Sequence, residues 1–359
     1  MNISIKGAYG DSNYGDDLLM IVLEDYFINK LPNYNLNFVG ANNQYVEKLL
    51  QKSTYNFQQK DDVLIYGGGT QFFSFIEKST LQTKFKNNIK KNPLIVINKI
   101  LKKIAPSKEE ILEPEKAFIG FGLGPFNNNV QAINYAKQQL QQSFFIGVRD
   151  QVSYNYCNEW GINALLGADI VFSSYFKQHI SEVKGEPIKN KIGIIVRDWD
   201  WKNSNVNYQE KILEFINNNK EIDVTFIVFA KDKDPDWLKK IKNHKHLIWE
   251  PERMSIQSFL NELNTFEAFI TARYHGAIIA GLMNKKVICI EIEPKLRILT
   301  EQIPSFSLWN NHFDLNELKE ILESELKQNH EEFILNLREK ADRMLEDFTL
   351  IFKQKFDGK

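Results

Sequence analysis

The stretch Phe269-Ile270-Thr271-Ala272-Arg273-Tyr274-His275-Gly276-Ala277-Ile278-Ile279-Ala280-Gly281, followed by Lys286-Val287-Ile288-Cys289-Ile290, decides the fold. It reads as a short buried strand, a turn, a helix of small and apolar residues, and a second buried strand. Arg273, Tyr274 and His275 fall where the first strand ends and the helix begins. In a parallel α/β sheet that edge is where ligands bind. The helix start adds free N–H groups and partial positive charge for an anion. An arginine fork and an imidazole placed there suit phosphate or carboxylate. They equally suit a structural role, with Arg273 capping a neighbouring helix and His275 an ordinary first-turn residue.

The chain around this stretch repeats the pattern. Lys191–Val196 reads as a buried strand ending at Arg197-Asp198-Trp199-Asp200-Trp201. Helix 208–218, strand 224–229, helix 235–242, strand 247–249, helix 255–263, strand 268–271, helix 275–283 and strand 287–292 follow. This alternation predicts a doubly wound parallel sheet over 191–313. No acidic residue suited to a ribose is recognised at a strand end in this half. A polar run over 179–190, with Gly185 and Pro187, marks a linker. The stretch 314–359 is helical, with Phe333, Leu337, Phe348 and Phe352 on one face, and is expected to pack across both domains.

A first α/β domain is expected over 1–180. Strand 2–7 runs into Gly7-Ala8-Tyr9-Gly10-Asp11-Ser12-Asn13-Tyr14-Gly15-Asp16-Asp17 and a helix from Leu18 to Phe27. The G-x-G-x-x-G spacing of a dinucleotide fingerprint is missing. One of Asp16 and Asp17 reads as a helix cap; the other would face the sheet mouth, where a carboxylate can act as general base. Strand 63–66 ends in Gly67-Gly68-Gly69, so something must approach this backbone closely. Strands 117–122, 144–148 and 164–169 follow, the last two delivering Arg149-Asp150 and Asp169 to the same rim.

Bulk properties narrow the classes. With 359 residues, 43% hydrophobic and 25% charged, the chain is expected to be a globular protein of two domains. A net charge of −1 argues against nucleic acid as a partner. Cys157 and Cys289 fit reduced, buried side chains. His244 and His246 read as surface residues, so no metal site is expected. No run approaches the roughly 18 apolar residues needed to span a bilayer, and the start lacks a signal-peptide core. The expected location is cytoplasmic. The segment 84–103 holds seven lysines and no acidic residue, with Ile97, Ile100, Leu101 and Ile104 at helical spacing. It suits either an anionic inner-membrane surface or a solvated helix.

Two α/β halves with facing rims describe the two-domain GT-B glycosyltransferase architecture. The ordered motifs also resemble the bacterial polysaccharide pyruvyl transferases across most of the chain. These motifs are Asn13-Tyr14-Gly15-Asp16, Gly67-Gly68-Gly69, the run Gly120, Gly122, Gly124, Pro125, then Arg149-Asp150-Gln151-Val152-Ser153 and Arg197. Arg273-x-His275 and Lys295 complete the set. Two positions depart from the family pattern: Asp169-Ile170-Val171-Phe172 replaces an Asp-Pro-Ala-Phe-like element, and Tyr274 stands where an aliphatic residue is usual.

The resemblance implies transfer of pyruvate from phosphoenolpyruvate, a donor substrate needing no cofactor, to a glycan or lipid-linked oligosaccharide, forming a cyclic ketal. On that reading Arg197 and Arg273 supply two cationic forks, and His275 is the general acid. Asp16, with Asp169 second, accepts the hydroxyl protons, while Lys295 and Arg273 stabilise departing phosphate. Asn13, Gly68, Gly69 and Tyr274 complete the binding set, and Trp199 and Trp201 are placed to stack on a sugar or to pack the loop. The alternatives are a nucleotide-sugar glycosyltransferase of the same fold and a non-catalytic glycan-binding protein.

Overall fold

The computed structural model describes residues 1–74, 113–199, 207–325 and 329–357. The segment 84–103, together with Asp200 and Trp201, lies outside the described residues.

The first sheet comprises β1 (Asn2–Lys6), β2 (Asn35–Val39), β3 (Thr54–Tyr55), β4 (Val63–Gly67), β5 (Thr70–Phe72), β6 (Glu115–Leu123), β7 (Ser143–Val148) and β8 (Leu165–Leu166). Its order is β3-β2-β1-β4-β6-β7-β8, with the short β5 also pairing β6. The second comprises β9 (Lys191–Val196), β10 (Asp223–Val228), β11 (His246–Ile248), β12 (Ala268–Thr271), β13 (Lys286–Ile290) and β14 (Ser307–Trp309), in the order β11-β10-β9-β12-β13-β14. All the neighbouring pairs run parallel. The central strands are buried on both faces, which is why β9, β12 and β13 read as continuous apolar runs without alternation.

The strand order reverses between β1 and β4 in the first sheet and between β9 and β12 in the second. A parallel sheet opens a crevice outside its carboxyl ends at such a reversal. Here the two crevices face one another. This two-domain, Rossmann-like arrangement is the GT-B architecture.

Some elements differ from their sequence reading. The strand expected over 164–169 is only Leu165–Leu166, both exposed, and Asp169 instead caps a short 3-10 turn, Ile170–Phe172. Its carboxylate accepts from Val171 N at 3.1 Å, a bond that ends the extended run. The first helix begins at Tyr14, four residues earlier than Leu18. The closing stretch is two helices, Leu315–Glu323 and Glu331–Phe356. Leu318 of the shorter one joins the core around β9, β10 and β12. The longer one returns to the first sheet, where Phe348 packs edge-on against Phe27 and Phe145, while Ile334 reaches the Phe306 side of the second domain.

The domains are keyed together by the helix Tyr14–Lys30. Tyr14 is fully buried in a socket of Phe229, Trp249 and Phe259, with ring centroids 4.6–5.1 Å away, and its backbone N–H donates to Phe229 O at 3.0 Å. Aromatic contacts of this kind add about 0.5–1.5 kcal/mol each beyond area burial. The next residue, Gly15, shows why the interface can close. A Cβ there would stand 2.2 Å from His275 Nδ1, so only a bare backbone lets the second domain's imidazole sit against the first domain's helix.

Candidate active site

The facing crevices enclose a cavity of about 450 Å³, within the ordinary range for small-ligand sites. Nine of the ten candidate side chains and glycines line it: Asn13, Asp16, Gly68, Gly69, Arg197, Arg273, Tyr274, His275 and Lys295. Each arrives from a strand end or the turn behind one. Arg197 follows β9, Arg273 lies two residues past β12, and Lys295 sits in the first turn of the helix Pro294–Gln302 beyond β13. Gly68 and Gly69 follow β4, both with φ of +69°, the left-handed region that side chains avoid. Asn13 Nδ2 donates to Asp16 Oδ2, holding that carboxylate toward the cavity.

Asp169 is the exception. It is buried and does not line the cavity, so it cannot accept a proton from a sugar there directly. Its Oδ2 faces the Arg149 guanidinium, Nη1 at 3.0 Å, and the His275 imidazole, Nε2 at 3.4 Å. Burial alone would raise this carboxyl, but His275 and Arg149 outweigh burial and hold it below the usual carboxylate range.

Arg273 is also less free than an open fork. Its Nε donates to Val196 O at 3.1 Å and its Nη2 to Asp234, and the residue is 7% exposed. Arg197 and Lys295 are arranged differently, because they share one carboxylate. Arg197 Nη1 and Lys295 Nζ (2.9 Å) both meet Glu293 Oε1. Burial raises the Glu293 carboxyl, but Lys295 and Arg197 prevail and hold it low. Desolvation pushes the Lys295 ammonium down to about 8, with Glu293 opposing and Arg197 and Arg149 reinforcing. Two cations against one anion leave a local surplus of positive charge. Over the whole lining the charges balance, with Arg149, Arg197, Lys233, Arg273 and Lys295 against Asp16, Asp150, Asp198, Asp234 and Glu293.

Glu293 is a site residue that sequence reasoning did not select, and Arg149, read at the rim after strand 144–148, was given no role there. Arg149 is 3% exposed, bonds Thr70 Oγ1 at 3.0 Å, and lies 4.4 Å from the Tyr274 ring centroid. Its position after β7 was the available signal. For Glu293 the signal was an acidic residue before Pro294 at a helix start. Acidic residues do stand just beyond strands of the second half: Asp198 after β9, Glu250 after β11, and Glu291 and Glu293 after β13. Trp199 stands 4.4 Å from the Arg197 guanidinium. Among the described residues no cluster of three or more His, Cys, Asp or Glu is arranged to hold a metal, and no helix is long and apolar enough to cross a membrane.

The fold is of the GT-B type, with charged strand ends converging on its interdomain cavity. The chain belongs to the polysaccharide pyruvyl transferase family, whose model matches residues 13–294. That match makes it a transferase of the pyruvyl transferase type. No curated protein matches the sequence. Among solved structures it is similar to S. aureus MnaA bound to UDP, at 10% identity and TM-score 0.59, covering 99% of this chain and 96% of the other. It is also similar to the UDP-GlcNAc 2-epimerase of Methanocaldococcus jannaschii in complex with UDP-GlcNAc and UDP, at 13% identity and TM-score 0.56, covering 98% and 100%. The corresponding epimerase of Rickettsia bellii gives 12% and 0.54, covering 100% and 99%. At such identities the likeness concerns the fold.

Proposed function

We propose that this transferase moves pyruvate from phosphoenolpyruvate to two hydroxyls of a hexose in a cell-surface glycan precursor, forming a cyclic ketal and releasing phosphate. The observation that carries the reading is the pairing of Arg197 and Lys295 on the single carboxylate of Glu293, inside the cavity that His275 also lines. A compact donor with a phosphate and a carboxylate matches a small patch of surplus positive charge.

His275 protonates the enol methylene, which becomes the ketal methyl group. The adjacent carbon, now electrophilic, accepts the first sugar hydroxyl, and Asp16 takes the proton released. The carbon–oxygen bond to phosphate then breaks, with Arg197 and Lys295 stabilising the leaving oxygens. The second hydroxyl closes the ring and its proton leaves with phosphate, so two hydroxyl protons balance one gained by carbon and one by phosphate. The acceptor is proposed to be lipid-linked and met at the inner face of the membrane, with 84–103 as the docking segment. Replacing several of its lysines with Glu and sedimenting with anionic liposomes tests this, and unchanged sedimentation rejects it.

Incubation with phosphoenolpyruvate and lipid-linked oligosaccharides, followed by mass spectrometry and phosphate assay, tests the main reading. Equal release of phosphate and gain of one pyruvyl unit are expected, both abolished by His275→Gln. A second reading, nucleotide-sugar transfer, draws on the UDP bound by the fold neighbours and on the acidic strand ends. Calorimetric titration separates the two: binding of UDP without binding of phosphoenolpyruvate favours the second.

A further inference from the structure

We infer that Asp169 is a positioning residue for the catalytic imidazole, supplied across the cleft by the opposite domain, and that His275 delivers its proton from Nδ1. The inference rests on the reading of His275 as proton donor. Asp169 belongs to the first domain and His275 to the second, yet Oδ2 and Nε2 stand 3.4 Å apart in a region closed to solvent. The carboxylate is clamped on both oxygens, Oδ1 by Val171 N–H at 3.1 Å and Oδ2 by Arg149 Nη1 at 3.0 Å. Thr70 Oγ1 holds the far side of that guanidinium at 3.0 Å.

His275 Nε2 is buried and has no hydrogen bond of good geometry in this state. A distance of 3.4 Å is long for such a bond, and catalytic hydrogen bonds often tighten only when substrate is bound. Nε2 is closed to solvent and cannot reach substrate, so the ring's access to the cavity it lines is by its other edge, where Nδ1 stands beside the bare backbone of Gly15. An anion fixed at Nε2 orients the ring, stabilises its cationic form and leaves Nδ1–H as the proton to be given up, a division of labour familiar from carboxylate–imidazole pairs. The acid is complete only with the two domains together, because its ring is in one and its orienting carboxylate in the other.

The test uses the full chain, uniformly 15N-histidine-labelled, with His275 assigned by loss of its signals in His275→Gln. The expected signature is an Nε2–H proton, exchange-protected in the chain alone and moved downfield on addition of phosphoenolpyruvate, that disappears in Asp169→Ala and Asp169→Asn. In turnover assays Asp169→Asn should lower kcat on the order of 10²- to 10⁴-fold, with KM for phosphoenolpyruvate within about threefold. Persistence of the signal without the carboxylate, or a loss confined to KM, overturns the inference. If the wild type shows no pyruvyl transfer, the functional reading fails, and the NMR signature alone decides the pairing. Should the Asp169 variants not fold, Gly15→Ala, whose methyl must displace the ring, is expected to erase the same signal; its retention overturns the inference.

Discussion

Trp249 of the second domain donates its indole N–H to Asp17 of the first, Nε1 to Oδ2 at 2.8 Å. Tyr45 O–H supplies the other oxygen at 2.9 Å. Asp17 is fully buried, and burial pushes its carboxyl up to about 7 despite these two donors.

The consequence is a stability that falls with pH. The unfolded carboxyl ionises near its ordinary value while the folded one stays protonated, so stability is lost between about pH 4 and 7 and levels off above. Asp17→Asn, which cannot ionise, should flatten this slope. Thermal unfolding of both proteins across that window checks it, and parallel slopes would refute the assignment.

On the proposed function, Lys295 should make donor binding proton-linked. Its ammonium is charged below about 8 and neutral above. An anion in the cavity raises that value, so binding near pH 8 should take up about half a proton. Affinity should then decline as pH rises further. Calorimetry in two buffers of different ionisation heat measures the uptake; none is expected in Lys295→Met.

Arg197→Ala should weaken phosphoenolpyruvate binding roughly 10- to 100-fold, the value of about 1.5–3 kcal/mol for a hydrogen bond to a charged group. The side chain is partly exposed, so the fold should tolerate its loss. Titration calorimetry decides, and unchanged affinity would remove Arg197 from the donor site.

Tyr14→Ala should cost about 3–5 kcal/mol, as expected for emptying an aromatic socket. Denaturant unfolding should also become biphasic as the domains uncouple. Tyr14→Phe should stay within about 0.5 kcal/mol of wild type, because the hydroxyl bond to Ile256 O is long at 3.4 Å.

The second sheet was legible because β9, β12 and β13 are buried on both faces and read as unbroken apolar runs. The short strands β3, β5 and β14 were not, and β8 was read too long, since two or three residues carry no period. At the site, Arg197, Arg273 and His275 announced themselves as charged groups at strand ends. Arg149 was seen at the rim without a role, and Glu293 was not seen at all, because what a buried ion does is set by its partners, and Arg197 and Asp169 lie far from them in sequence. Asp169 was placed at the rim as a second proton acceptor, but it lies buried behind the cavity, beside His275.

By itself, the sequence determined two parallel sheets and most of the residues at their carboxyl ends, since the burial pattern along a strand and the point where it stops are local properties. Only the tertiary structure decided that Glu293 answers two cations, that Asp17 is buried beneath Trp249, and that Asp169 reaches His275. Those facts depend on how the domains meet. That meeting turns on Tyr14 finding its socket and on Gly15 having no side chain, and a charge's behaviour is settled by the groups that surround it in space.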